Sequence, residues 1–161
     1  MNLSTKLTVC NFLKEYTVTH QISQWTLNNM QTLNHFPVLL SGIIIGMIMM
    51  QVSIVAPTIF RLINMKDTGP FLRSVFPKLF LTVIILSIIS LLFIYFYGLN
   101  SRAPLIASLV TAVAMTTCYV MVPATNAAKD SGNENLFKKL HSASVLLTVI
   151  VLIVNLGWCF F

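Results

Sequence analysis

Four stretches of this chain are apolar at nearly every position: residues 37–60, 79–97, 103–125 and 143–161. None of them contains Asp, Glu, Lys or Arg. Each reaches the roughly 18–20 residues that a helix needs to cross about 30 Å of hydrocarbon, so the pattern predicts four membrane-spanning helices. Between the first and second lies "RLINMKDTGPFLRSVFPK", long enough for a short amphipathic segment broken at Gly69-Pro70. "GLNSR", residues 98–102, reads as a tight turn between the second and third. The expected fold is therefore all-α: an integral membrane four-helix bundle over residues 37–161 with short loops, preceded by an extramembrane tail over 1–36.

The tail has no continuous apolar core behind a basic start, so it does not read as a signal peptide. Val18, Ile22 and Trp25 recur at helical spacing, which suits an amphipathic helix in the membrane interface. A loosely ordered translocated tail is the equal alternative.

Polar and small residues within the spans predict which faces meet, because positions returning to one angle at 100° per residue share a face. In the first span Gly42, Gly46, Ser53 and Phe60 fall on one side, and the first two form a GxxxG. Ser108, Ala112, Met115, Tyr119 and Asn126 line one side of the third; His141, Ser144, Thr148 and Asn155 do so in the fourth. Small residues let membrane helices approach closely and hydroxyl or amide groups bond across the contact, so Gly42, Gly46, Ser53, Ser108, Thr148 and Asn155 are assigned to helix packing.

Composition agrees with the pattern. The chain is 57% hydrophobic and 9% charged, with a mean hydropathy of +0.85, whereas soluble domains carry about 25% charged residues. The net charge of +6 reports topology. Arg61, Lys66, Arg73 and Lys78 lie in the first connection and Lys129, Lys138 and Lys139 in the third, against Lys6 and Lys14 in the tail and Arg102 in the second. Basic residues in short loops favour the cytoplasm, so both termini are expected on the non-cytoplasmic side. A nucleic-acid partner is not expected; the lipid bilayer is. Cys10, Cys118 and Cys159 are too scattered for a disulfide framework or a zinc site.

The more chemically distinctive residues gather at the expected cytoplasmic end: Pro57, Phe60 and Arg61 leaving the first span, Phe76, Pro77 and Phe80 entering the second, Asn126 leaving the third, and His141 with Ser144 entering the fourth. These are the candidate ligand- or partner-binding residues. No catalytic residue is proposed: Glu15, Asp67, Asp130 and Glu134 all lie outside the spans, and His141 has no carboxylate orienter within helical reach. An enzyme is therefore disfavoured. Proton-coupled transport is disfavoured too, since no span carries an intramembrane charge.

"VAPTIFRL", "RSVFPKLF", "VPATN" and "LFKKLHSASVLL", in this order on four spans, resemble the transmembrane protein 205-like family, also catalogued as a domain of unknown function (4149). The resemblance covers about residues 37–160 and rests on the Pro and Phe ending the first helix, the F-P-x-x-F entrance to the second, the Pro/Asn exit from the third and the L-H-x-x-S entrance to the fourth. Where that family often has an Asn one turn after the serine, this chain has Thr148. The resemblance implies a small integral membrane protein without a settled activity. The layout is more distantly similar to four-helix membrane proteins of copper handling and of haem-dependent porphyrin oxidation.

That wider likeness raises a metal at His141. A bis-histidine haem needs a second imidazole, but His20 and His35 are expected on the opposite side of the membrane. A symmetric dimer could supply the pair, or a thioether from Met47, Met49, Met50, Met115 or Met121 could join His141 around Cu(I). Methionine is also a general filler of apolar contacts. The preferred reading gives His141 a structural role, donating to Asn126, a backbone carbonyl or a lipid phosphate, with no cofactor expected. The sequence thus points to a non-enzymatic binding, scaffold or accessory membrane component with its contact site at the cytoplasmic end, joined by a membrane-protein partner or a second copy. A haem or copper protein using His141 is the first alternative and small-solute transport the next. A bacterial inner membrane is the expected location.

Overall fold

The computed structural model describes residues 3–62, 65–97 and 102–160, with side chains at 16–25, 35–59, 61, 68–97 and 102–160. Helix α1 spans Leu3–Met50 and continues through a π-helical turn, Gln51–Val55, into α2, Ala56–Leu62. Three helices follow: α3 Met65–Tyr97, α4 Arg102–Asp130 and α5 Glu134–Trp158. Among the described residues, four stretches are long and apolar enough to cross a membrane: His35–Ile59, Thr68–Tyr97, Arg102–Asp130 and Glu134–Trp158. The protein is an all-α bundle of four such helices packed on one another.

Two compact units divide the chain, Met1–Phe36 and Pro37–Phe161. The first is helical from Leu3, and its side chains from Tyr16 to Trp25 are all exposed, Val18, Ile22 and Trp25 included. Its polar side chains bond locally: the Thr19 hydroxyl donates to the Tyr16 carbonyl at 2.9 Å and Ser23 to His20 at 2.8 Å.

Within the second unit, α3 begins earlier than the apolar run predicts. It starts at Met65 rather than 79 and runs through Gly69-Pro70 and Pro77 without a break. A proline removes only its own N–H and frees the carbonyl four residues back, here those of Lys66 and Arg73. Both precede the apolar run, where water can satisfy them. The "GLNSR" turn lies mostly outside the described residues.

The core is built from all four helices: Ile44 and Ile48 of α1, Phe80 and Val83 of α3, Ala114, Met115 and Cys118 of α4, and Val151 of α5. The outer surface is at least as apolar, with Ile85, Ile88 and Leu92, Val113 and Val120, and Leu146 and Ile153 all exposed. Buried beneath them are Ser41, Ser87, Ser90, Ser108, Thr111 and Asn155. Polar groups inside and aliphatic groups outside is what a hydrocarbon solvent favours, because interhelical hydrogen bonds then replace bonds that lipid cannot make.

Three such bonds link the helices in succession. Ser90 and Ser108 join α3 to α4 through their hydroxyls at 2.8 Å. Asn155 Nδ2 joins α5 to α4, donating to Thr111 Oγ1 at 2.7 Å, and also donates to the Val151 carbonyl at 2.9 Å. Trp158 Nε1 donates to Ser41 Oγ at 2.9 Å and closes the series onto α1. At about 0.6 kcal/mol each, they set the register of the bundle more than its total stability.

The predicted packing faces are met unevenly. Ser108, Met115 and Asn155 are buried, Ala112, Ser144, Thr148 and Asn126 half-buried, and Tyr119 and His141 exposed. On α1 the face is displaced: Gly42, Gly46 and Ser53 are exposed, and a methyl added at either glycine would meet nothing within 4 Å. The helix instead turns Leu40, Ser41, Ile44, Ile48 and Gln51 inward. Ile44 lies about 200° from Gly42 at 100° per residue, and its branched side chain fills volume that a glycine would leave empty. Phe60 has its backbone in α2, but its side chain lies outside the described residues.

Among the described residues Gln51 is the exception to polar satisfaction. It opens the π-helical turn, where the Ala56 N–H bonds to the Gln51 carbonyl, and its side chain is only 7% exposed. Its Nε2 has no hydrogen-bond partner within the protein. An unpaired buried amide costs about 1–3 kcal/mol, so Gln51→Met, which keeps the length and removes the amide, is expected to raise unfolding free energy by about 1 kcal/mol. Thermal melts of the purified protein in mild detergent check this; a lowered midpoint would show that the amide is satisfied in the membrane protein.

Candidate functional site

The candidate residues separate into two groups once their surroundings are visible. Phe80 is buried in the core, and Phe76 packs against that core with its ring stacked on Phe80 at 6.0 Å between centroids. Phe80 is thus a core side chain, and Phe76 lies half-buried against it. Ser144 also serves the interior: its carbonyl accepts from the Cys118 thiol at 3.7 Å and from the Thr148 hydroxyl at 2.8 Å, while its own hydroxyl donates to the Leu140 carbonyl. Pro77 and Asn126 are half-buried; Pro57, Arg61 and His141 are exposed.

What remains exposed near His141 is organised by the α4–α5 turn. Gly132 adopts φ +71, the left-handed conformation that costs a residue with Cβ about 1–2 kcal/mol. Its N–H bonds to the Lys129 carbonyl at 3.2 Å, and the Asn133 N–H reaches the Ala128 carbonyl at 3.0 Å, a paired closure that satisfies the last carbonyls of α4. Asn133 then caps α5, its side-chain oxygen accepting from the Leu136 N–H at 3.1 Å. Two helices are thereby joined through three residues.

The turn brings α4 and α5 side chains together. The Lys129 ammonium stands 5.1 Å from the centre of the Phe137 ring, and His141, one turn along α5, stacks on the same phenyl at 5.7 Å with planes 9° apart. Such a cation over a half-exposed ring is worth about 0.5–1 kcal/mol. Glu134 lies 3.8 Å from Lys129 and 3.9 Å from Lys138. Arg73 of α3 grips Asp130 of α4 with both guanidinium nitrogens, Nη1 donating to Oδ2 at 3.0 Å and Nη2 to Oδ1. A forked pair has the geometry that restrains orientation as well as distance, so α3 is tied to the end of α4 beside the turn.

His141 and Asn126, expected to meet, are joined by no hydrogen bond among the described residues; the neighbour His141 finds is a phenyl ring. Among the described residues no group of three or more His, Cys, Asp or Glu stands together in a way that could hold a metal ion. The arrangement offers an aromatic and cationic surface of fixed shape. Sequence reasoning missed Lys129, Phe137 and the Arg73–Asp130 pair. Gly132-Asn133 was a readable stop-and-start signal between helices; the ion pair, 57 residues apart in the chain, left no local trace. Gln51 was also legible as an amide in an otherwise aliphatic run.

A family model described as a domain of unknown function (DUF4149) matches residues 39–134. No curated protein matches the chain, and no solved structure does. The matched region holds the first three spans and ends on Glu134, so Phe137 and His141 lie beyond it.

Proposed function

The chain belongs to the DUF4149 family, and from that footing we propose that it is a non-enzymatic binding or accessory membrane component whose contact surface is the α4–α5 end of the bundle. The observation that carries this reading is the Lys129–Phe137–His141 array, with Lys129 and His141 exposed and Phe137 half-buried, mounted on a turn whose backbone groups are internally satisfied. A surface already held in shape loses little freedom when a partner docks, and aromatic and cationic groups are the ones that dominate contact energies. Lys129 and Lys138 supply positive charge at this turn, which favours an acidic segment of a membrane-protein partner or of a second copy. The excess of basic residues in the first and third connections supports a cytoplasmic position for this end, with both termini opposite, in a bacterial inner membrane. The motif order also supports kinship with the transmembrane protein 205-like proteins.

A photo-crosslinking residue placed at His141 tests the reading, with Tyr95, 80% exposed near the other end of α3, as control. Discrete adducts are expected at 141 and not at 95. Phe137→Ala combined with Lys129→Ala should reduce them severalfold while leaving the melting midpoint nearly unchanged. Equal labelling at both positions would contradict a dedicated contact end.

A further inference from the structure

A groove of about 330 Å³ runs between α4 and α5, lined by Leu109, Val110, Val113 and Ala114 with Thr117 on one wall and by Leu147 and Ile150 on the other. Leu109, Val113 and Ile150 are exposed, so the groove opens outward rather than into the core. Its one polar side chain, Thr117, is already satisfied, donating to the Val113 carbonyl at 2.9 Å. Everything else the groove offers is hydrocarbon.

Size and chemistry decide what fills it. At about 330 Å³ the groove holds less than one turn of a helix about 10–12 Å across, so a further helix would seat over it rather than fill it. A single acyl chain is slim enough to lie along the groove. Charge then selects the kind of lipid. Lys139 precedes Ile150 by eleven residues, which at 100° each returns it to within about 20° of the same face. Between them Ala143 leaves the groove side low, while Leu146, 61% exposed, stands on the other side. The separation along the helix is about 16 Å, close to one leaflet of a hydrocarbon core about 30 Å thick. Lys139 is exposed and forms no ion pair among the described residues, unlike Lys129 and Lys138, which share Glu134.

We propose that the α4–α5 groove is a binding site for an anionic phospholipid, with the phosphate on Lys139 and an acyl chain lying against Val113, Thr117, Leu147 and Ile150. The site stands apart from the turn array and does not depend on its function. Recognition divides in two: the groove accepts the chain of any phospholipid, and the lysine discriminates in favour of negative net charge. One lysine near an anionic headgroup contributes about 1 kcal/mol, equivalent to about a fivefold preference.

The full chain is reconstituted in vesicles containing trace phosphatidylglycerol or phosphatidylcholine with a diazirine on the acyl chain, and adducts are mapped by peptide. Labelling within 109–117 and 147–150 is expected to favour phosphatidylglycerol about fivefold, while the lipid-facing side of α3, at Leu81, Ile85 and Ile88, shows no preference. Lys139→Glu should bring the groove ratio to one or below, and Lys139→Arg should retain it. Thr117→Trp, filling the groove from an exposed position, should reduce adducts of both lipids there. These side chains face outward, so the variants are expected to melt like the parent. No preference in the unmodified chain, an unchanged ratio in Lys139→Glu, or the same preference on α3 would overturn the proposal.

Discussion

Phe80→Ala is expected to lower the unfolding free energy by about 3–5 kcal/mol, the range for removing a buried aromatic side chain from a packed core. Phe80 touches the core cluster from α3 and stacks on Phe76, so its loss opens a void against residues of α1, α4 and α5 together. Steric-trapping or denaturant unfolding in mild detergent reads the change. The same variant separates core from contact surface: among molecules that remain folded, crosslinking at position 141 should be unchanged. Loss of the adducts from a protein of unaltered stability would return Phe80 to the contact surface.

Asn155→Ala is expected to cost about 2 kcal/mol, the scale for losing a buried, hydrogen-bonded side chain. The amide is 1% exposed and gives both protons away, one to Thr111 and one to Val151. Its removal deletes an interhelical bond and leaves a small void. Thr111→Val isolates the first part. The Thr111 hydroxyl also donates to the Ala107 carbonyl at 2.7 Å, and the valine keeps the volume but leaves one buried Asn155 N–H unpaired while the other keeps Val151, so the loss should be about 1 kcal/mol, about half of the Asn155→Ala effect. Equal losses from the two variants would mean that the bond, rather than the packing, fixes α5 on α4.

The helices were legible because hydrocarbon imposes a simple rule: about 20 residues without charge, repeated four times. Their ends were less so. Charge and proline mark where a helix leaves the apolar phase, not where its backbone bonding stops, and α3 continues through Pro70 and Pro77 accordingly. Facing was harder on α1 than on α5. Asn155 is strongly polar, and burial in the bundle is the arrangement that satisfies it. Gly42 and Gly46 carry no such constraint: glycine is neutral towards lipid, and Ile44 and Ile48 competed for the same interior more effectively. Of the candidate residues, His141 and Arg61 are exposed, whereas Phe80 is buried and Phe76 half-buried against it. The Phe76–Phe80 stacking is local to α3, but their packing against the cluster of Cys118 and Val151 depends on register between helices, which Ser90–Ser108 and Asn155–Thr111 set and which no single segment encodes. Lys129 and Phe137 meet because a three-residue turn reverses the chain; Gly132-Asn133 signals the turn, but which side chains it brings together follows from the left-handed Gly132 and the register it sets.

The central claim is that this chain crosses hydrocarbon four times, so that the α4–α5 turn and the end of α5 lie on opposite faces of the membrane. The direct measurement is labelling by a membrane-impermeant maleimide of single cysteines at Ser131 and Phe160 in an otherwise cysteine-free chain, in intact cells and in inverted vesicles. The two positions should label in opposite preparations. Labelling of both in the same preparation, with neither reacting in the other, would contradict the four-span account.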